Sequence, residues 1–499
     1  MPLRSRMVAH FADSARLASF APLLYNAFFQ TPVLRRAANR LIGFHPDRSI
    51  PRLNRITLRR WFSGRTPLVP TRGKRLGRVH LFCDEFTNYN DLDAGIATVE
   101  LLELLGYEVN LPDHVESGRA SLSKGVVRRA QGFANENVRR LSSIVSGEEP
   151  LIGIEPSTLL GIAGYGLCKF GAAFSYQNHP NVEVVAATDL DPGRCAALAK
   201  AVGAKKTYPS CEEMIKDKSI EAVYIATDAP SHARLAIMAL NHGKHVVSAV
   251  PAVFGFEAED EAEKLFNAVK KSGMKYMLNE TSTFHAALYE KRMQYQAGAL
   301  GKILYSEGEY YHDGVGVLGS YNPKNGKIDK YGWRRSVPPM WYPTHATAYY
   351  ISVTGGRLTE VSGLGTNSLY PVYKDGDNQH KNPFGSEVAM FKTSEGGMSR
   401  MAVSWDMKNA HGEQGRVYGQ KPHDKKINGS RPLLPPGVSG GGHGGSHGQL
   451  TNNFIESILL DKKPIVDVGD ALNMTLAGVI AHQSALKGGE WMKIPQYDL

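Results

Sequence analysis

Residues Leu159 to Asp189, LLGIAGYGLCKFGAAFSYQNHPNVEVVAATD, constrain the fold more than any other stretch. An apolar run leads into Gly164-Tyr165-Gly166, a small-residue helix is expected at Phe170 to Phe174, and a second apolar run closes on Asp189. Strand, glycine turn, helix, strand and acid in that order are what a dinucleotide demands. Gly164 makes the tight turn, and Gly166 removes a side chain where backbone must approach a pyrophosphate. The phosphates then meet free N–H groups at the helix start. Leu167 follows the pair and is counted with the cofactor turn. Asp189 stands where a carboxylate can accept both ribose hydroxyls. Its charge repels a 2′-phosphate, so NAD is expected rather than NADP. The third fingerprint position holds Lys169, with the next glycine at Gly171. A glycine pair alone also fits an ordinary strand-to-helix turn, and the flanking strands and the acid carry the reading.

With 499 residues the chain is long enough for two or three domains. The formal charge of +10 hints at a nucleic-acid partner, but its distribution argues against one. Residues 1–78 hold 16 Lys and Arg against Asp13 and Asp47, so that segment carries +14 and the rest sums to −4. The segment mixes arginines with Leu, Ala, Phe and Tyr, as short basic amphipathic helices do. It would pack on a neighbouring domain or lie on an anionic surface. No apolar run reaches the ~20 residues of a transmembrane helix, and no secretory signal is evident. Cys83, Cys168, Cys195 and Cys211 show no paired spacing, so neither disulfides nor a metal site is expected and a cytoplasmic location follows.

Between Gly77 and Glu155, apolar runs (RVHLFC, YEVNLP, PLIGIE) alternate with helical patterns, including one long helix over SKGVVRRAQGFANENVRRLSSIV. The segments CDEFTNYND, LGYEV, HVESGRASLSKG and PLIGIEPS resemble the cysteine-rich domain of iron–sulfur subunits fused to FAD-linked oxidases, over about residues 1–157. The cluster motifs of that family are missing and only Cys83 lies in this region, so no iron–sulfur cluster is expected. This part is read as a functional fusion, a truncated relic or an artefact of assembly.

After Asp189 the alternation continues through IEAVYIAT, APSHARLAIMALNHG, KHVVSAV, EAEDEAEKLFNAVKKSG and KYMLNE. The run AVYIATDAPSHARLAIMALNHGKHVVSAVP resembles the Gfo/Idh/MocA oxidoreductases, and the likeness covers about residues 159–499. It implies a Rossmann-type parallel sheet followed by an α+β domain with an open, mainly antiparallel sheet. The whole chain is then α/β with an extra N-terminal partial α/β module. The expected division is 1–78 (basic helices), 79–157 (partial module), 158–283 (NAD-binding) and 284–499 (substrate and oligomerisation). A homo-oligomer through the second sheet is implied, as are Thr227, His232 and Pro251 beside the cofactor.

Where the family carries Glu-Lys-Pro this chain has Ala249-Val250-Pro251, and Val250 can neither donate a hydrogen bond nor carry charge. The substitute is expected in PPMWYPTHATAYY, where His345 is kept and Trp341 holds the position of a family aspartate. The YPTH string resembles NAD-dependent glycosidases on the same fold, as does His443-Gly444-Gly445. An unperturbed imidazole titrates near neutrality and suits proton removal, so His345 is the expected acid/base, with Tyr342 as relay or hydroxyl partner. His232 and His285 are weaker candidates, and His232 would line the cofactor turn. For His443 and His447 a glycine loop and a substrate-closing role both stand. Trp333, Trp341 and Tyr310 would stack on a sugar or pack in the core. The expected activity is an NAD-dependent oxidoreductase acting on a sugar, polyol or related carbohydrate. The alternatives are a redox-elimination glycosidase and a non-catalytic NAD-binding homologue.

Overall fold

The computed structural model describes residues 3–44, 46, 50–68, 76–154, 158–166, 169–314, 321–322, 327–328, 332–374, 378–407, 411–422 and 426–498. Its contacts divide it into two compact units, Met1–Pro156 and Ser157–Leu499.

The first unit opens with four helices, α1 (Leu3–Ala9), α2 (Phe11–Ala18), α3 (Pro22–Gln30) and α4 (Pro32–Ile42), followed by α5 (Leu58–Ser63). Asn26 ties α3 to the chain beyond α4, donating to Leu53 O at 2.7 Å and accepting from Leu53 N at 2.9 Å. Three parallel strands follow, β1 (Gly77–Phe82), β2 (Tyr107–Asn110) and β3 (Leu151–Gly153), in the order β2-β1-β3. Between them lie α6 (Glu85–Tyr89), α7 (Leu92–Leu105), α8 (Arg119–Ser123) and α9 (Val127–Leu141). Val79, Leu81, Val99 and Val109 form the small core. The single long helix expected from Ser123 to Val145 is instead α8 and α9, because Gly125 takes a φ of +77° between them and the second ends at Leu141.

In the second unit the strands β4 (Thr158–Ala163), β5 (Val182–Thr188), β6 (Lys206–Tyr208), β7 (Ala222–Ile225), β8 (His245–Ser248) and β9 (Tyr276–Leu278) form one parallel sheet, ordered β6-β5-β4-β7-β8-β9. The crossover helices are α10 (Phe170–Ala173), α11 (Pro192–Val202), α12 (Cys211–Ile215), α13 (His232–Asn241) and α14 (Ala258–Ser272). All four residues of β7 are buried, as expected for a central parallel strand covered on both faces. This strand order leaves a crevice at the carboxyl ends of the strands, where the connections reverse direction about β4.

Beyond α15 (Ala286–Gln296) come β10 (Ile303–His312), the short hairpin β11 (Tyr321–Asn322) and β12 (Lys327–Ile328), and α16 (Thr344–Thr354). A second sheet adds β13 (Leu358–Asn367), β14 (Phe384–Thr393), β15 (Met398–Ser404) and β16 (His411–Gly419). Two helices, α17 (Gly442–Leu459) and α18 (Val468–Leu486), precede β17 (Met492–Lys493). The order is β16-β10-β15-β14-β13-β17, antiparallel except for the parallel pair β10–β15. Along β14, Gly385, Glu387, Ala389, Phe391 and Thr393 face inward while Val388 is 41% exposed on the other face. The open, mainly antiparallel sheet is therefore present.

The two sheets share a core. Helix α18 is buried along almost its whole length, and Gly478 lets it approach the turn before α16, since a Cβ there would stand 2.1 Å from Met340 O. Helix α17 returns to the first sheet, where Leu450, Phe454 and Ile455 pack with Leu160, Ile162 and Tyr224.

Candidate functional site

The glycine turn is built by close backbone approach. Gly164 takes φ +91°, and a Cβ there would lie 2.4 Å from Ala226 O. Gly171, displaced from the usual third position, brings α10 onto that turn, because its own Cβ would stand 2.3 Å from Gly164 O. Lys169 adopts φ +56° just before the helix. Gly166, at φ +61°, would point a Cβ into open space, which leaves the approach to its backbone clear. Leu167, also assigned to the turn from the sequence, lies outside the described residues.

Asp189 ends β5 with its carboxylate held by the protein. It accepts from Tyr165 N and Asp191 N, both at 2.9 Å, and from Arg194 Nε at 3.1 Å. His232, expected to line the cofactor turn, bridges two backbone carbonyls at the ends of β7 and β8. It is buried, which lowers its pKa, and Nδ1 lies 2.8 Å from Pro251 O while Nε2 faces Thr227 O at 3.2 Å. Thr227, Pro251 and His232 are thus one structural connection between the ends of β7 and β8.

His345 sits in the first turn of α16, with a side chain 7% exposed. Its Nδ1 faces two carboxylates, Glu280 Oε1 at 2.8 Å and Glu413 Oε1 at 3.3 Å. Glu280 follows β9 at the carboxyl end of the parallel sheet and caps the next turn through Ser282 N at 3.0 Å. Glu413 comes from the edge strand β16 and accepts from the Ser282 hydroxyl. Burial opposes charge on His345, but the two carboxylates outweigh it and raise its pKa to about 9. The reciprocal effect holds Glu280 down at about 2, with the His345 charge overcoming its burial. The neutral-range titration expected of His345 is therefore shifted upward, in favour of its imidazolium form.

A row of rings leads away from this cation. Tyr310 lies 4.6 Å from His345, Tyr342 6.0 Å from Tyr310, and Trp333 6.4 Å from Tyr342, all centroid to centroid. The Arg334 guanidinium covers Trp333 at 4.5 Å. Burial raises the Tyr310 phenol far above its usual range, so it remains protonated. Trp341 belongs to the core instead, enclosed by Phe254, Phe256, His380 and His482.

His443 is brought to the same region from the start of α17, where it, Gly444 and Gly445 are left-handed and regular helix begins only after them. Its Nδ1 lies 2.8 Å from His447 Nε2, and the His447 ring stacks on Phe174 at 4.1 Å. Phe170 of α10 stands 6.1 Å from the His443 ring. Desolvation and then the His345 charge lower the His443 pKa. The glycine loop thus packs against α10, near enough to His345 to feel its charge.

Sequence reasoning missed Glu280, Ser282, Glu413 and Arg334. A signal existed for Glu280, an acid directly after an apolar run that ends at the binding edge of a parallel sheet. Glu413, in an edge strand far along the chain, gave none. Among the described residues no group of His, Cys, Asp and Glu could hold a metal ion.

Residues 159–280 match the family GFO_IDH_MocA, described as an oxidoreductase family with an NAD-binding Rossmann fold. A glycosyl hydrolase family 109 protein of Bacteroides fragilis is 29% identical over 181 residues, 34% of this chain and 38% of that protein. The chain therefore spans well under half of that relative's length. Scyllo-inositol dehydrogenase from Lactobacillus casei, solved with NAD(H) and scyllo-inositol, superposes with a TM-score of 0.53 at 17% identity, covering 68% of this chain and 99% of that one. Levoglucosan dehydrogenase in complex with NADH and levoglucosan gives a TM-score of 0.54 at 18% identity, again over 68% and 99%. At these identities the structures share the fold. The second unit therefore shares the fold of these dehydrogenases, and its Rossmann domain is the part that matches the family model.

Proposed function

We propose that the second unit is an NAD-dependent oxidoreductase acting on a sugar, polyol or related carbohydrate, with His345 as the acid/base. Residues 158–283 would hold the cofactor and residues 284–499 the substrate. The observation that carries the reading is the buried contact of His345 with Glu280 at the carboxyl edge of the parallel sheet, which supports a proton-carrying role there. The glycine turn fits a dinucleotide, because the space beside Gly166 admits a ligand against bare backbone. Gly164, Gly166, Leu167 and Asp189 would hold it, and bound NAD supplies a hydride acceptor. The carboxylate of Asp189 favours NAD over NADP.

His345 would exchange a proton with the substrate hydroxyl, Tyr342 would hold a neighbouring hydroxyl, and Trp333 would present an aromatic face to the sugar. His443 would close the substrate side. The free face of the second sheet exposes Leu304, Leu364, Met398 and Tyr418, which supports association of copies through it. Cys83, Cys195 and Cys211 are buried free thiols, which supports a cytoplasmic setting. For residues 1–157, the three-stranded parallel sheet supports the reading as a partial α/β module.

Incubation with NAD, a panel of polyols and aryl glycosides tests the reading, with NADH absorbance and aglycone release followed in parallel. NADH accumulation that disappears in His345→Ala is expected. Turnover unchanged in that variant would sink the proposal. The similarity to glycosyl hydrolase family 109 favours a second reading, redox-elimination glycosidase, in which aglycone is released on catalytic NAD without net NADH.

A further inference from the structure

The proton held by His345 has an unusual position. Its Nδ1 side is shut off from bulk water, and the two carboxylates that face it are not equivalent. Glu280 is a dead end: its side chain is fully buried, and beyond His345 and Ser282 it meets only the buried Thr344 hydroxyl. Glu413 is different. One oxygen lies 3.3 Å from His345 Nδ1, and the other takes the Ser282 hydroxyl and lies 3.5 Å from Nδ1 of His285. His285, just before α15, is a quarter exposed. It and Glu413 line a cavity of about 560 Å³ along the edge strand β16, together with Tyr349, Gln414 and Arg416.

We propose that Glu413 and His285 form the proton exit of His345, leading from its Nδ1 to water in that edge cavity, away from the ring row where substrate would sit. The proposal rests on the acid/base role of His345 and deepens it. Oxidation requires neutral His345 to take the hydroxyl proton at Nε2. The Nδ1–H bond then breaks and its proton passes to a Glu413 oxygen. Rotation of the carboxylic acid so formed carries the proton round to Nδ1 of His285, and the His285 ring releases one from Nε2 to water. The sum is one proton moved from substrate to solvent, with no electrons transferred along the path. Both rings are left as the opposite tautomers, His345 with its proton on Nε2, and the reverse passage restores them as Nε2 gives that proton back in reduction. Ser282, 3.4 Å from His345 Nδ1 and bonded to Glu413, keeps the two groups aligned.

Glu280 faces His345 from the end of β9, and Arg334 lies on the substrate side. Glu307 and Glu309 line the cavity beyond His285 but are paired with Arg400 and Arg416, so the outlet is a chamber of balanced charge. The His443–His447 pair does not offer the same route, since the second ring nitrogen of His447 faces the carbonyl of Ala173 at 3.2 Å.

The full chain labelled with ¹⁵N-histidine provides a test that needs neither substrate nor NAD: the exchange rate of the His345 Nδ1 proton with water at pH 7. Glu413→Gln keeps an acceptor for Ser282 but cannot carry a proton, and it is expected to slow exchange at least tenfold. His285→Asn is expected to slow it similarly, and added imidazole, small enough for the cavity, should restore the rate in that variant but not in Glu413→Gln. Exchange at the wild-type rate in both folded variants would overturn the relay, as would slowing in His285→Asn that imidazole does not relieve. Absence of turnover with intact, variant-sensitive exchange would instead remove the oxidoreductase reading and leave the relay standing.

Discussion

Glu280 Oε1 and His345 Nδ1 are 2.8 Å apart, and Glu280 is fully shielded from solvent. Each shifts the other: His345 rises from 6.5 to about 9 and Glu280 falls from 4.5 to about 2. The His345 contribution to stability is full below its unfolded value and is lost as pH rises through about 9. That of Glu280 is full above its unfolded value and is lost as pH falls through about 2. The pair thus stabilises most between pH 4.5 and 6.5. On its alkaline side the loss amounts to at most about 3 kcal/mol. Melting temperature measured from pH 6 to 10 should fall in the wild type, and this pH dependence should be much weaker in Glu280→Gln. An identical alkaline decline in that variant would assign the effect to other groups.

Gly171→Ala should damage the cofactor turn without touching any polar group, because the new methyl carbon would meet Gly164 O at 2.3 Å. A backbone oxygen cannot swing aside, so the helix or the turn must move, at a cost of about 1–3 kcal/mol. Calorimetric titration with NAD should show weaker binding by an order of magnitude or more. Unchanged affinity would mean that NAD does not use this turn.

Asp189→Ala should loosen NAD binding and narrow the difference between NAD and NADP. The substitution removes the acceptor of Tyr165 N and releases the Arg194 guanidinium for a 2′-phosphate. Titration with both nucleotides at one ionic strength decides this. A ratio of affinities equal to the wild-type value would rule out Asp189 as the discriminating group.

A second buried pair, His482 Nδ1 and Glu387 Oε1 at 2.8 Å, lies beneath Trp341, and Glu387 also accepts from Met340 N at 2.9 Å. His482→Leu leaves a carboxylate stranded in a region 1% exposed. Such a loss costs about 3–5 kcal/mol. Chemical denaturation should show it, and Glu387→Gln combined with His482→Leu should recover part of it. A single variant as stable as the wild type would show that the pair is dispensable.

The parallel sheet was legible because its signals are local: a buried run such as AVYI and glycines at a fixed offset each report on their own backbone. The displaced third glycine was visible as Gly171, yet only the fold shows that it replaces the missing glycine at Lys169. His345 was found through the wording around it, but its charge state depends on Glu280 and Glu413, 65 and 68 positions away in opposite directions, which periodicity cannot place. Trp341 read equally well as sugar platform or core, and the rings of Phe254 and His380 decide for core.

Helix α17 contributes Leu450, Phe454 and Ile455 to the hydrophobic layer under β4 and β7, and Thr451 donates to Phe174 O next to α10. The half built on the first sheet, residues 158–283, therefore lacks part of its own interior until about 170 further residues have left the ribosome. During synthesis that apolar layer stays open while the second sheet is still being made, so a chaperone or ribosome-bound factor would meet it first. A product truncated before Gly442 should be cleared by proteases rather than persist as a smaller dinucleotide-binding protein.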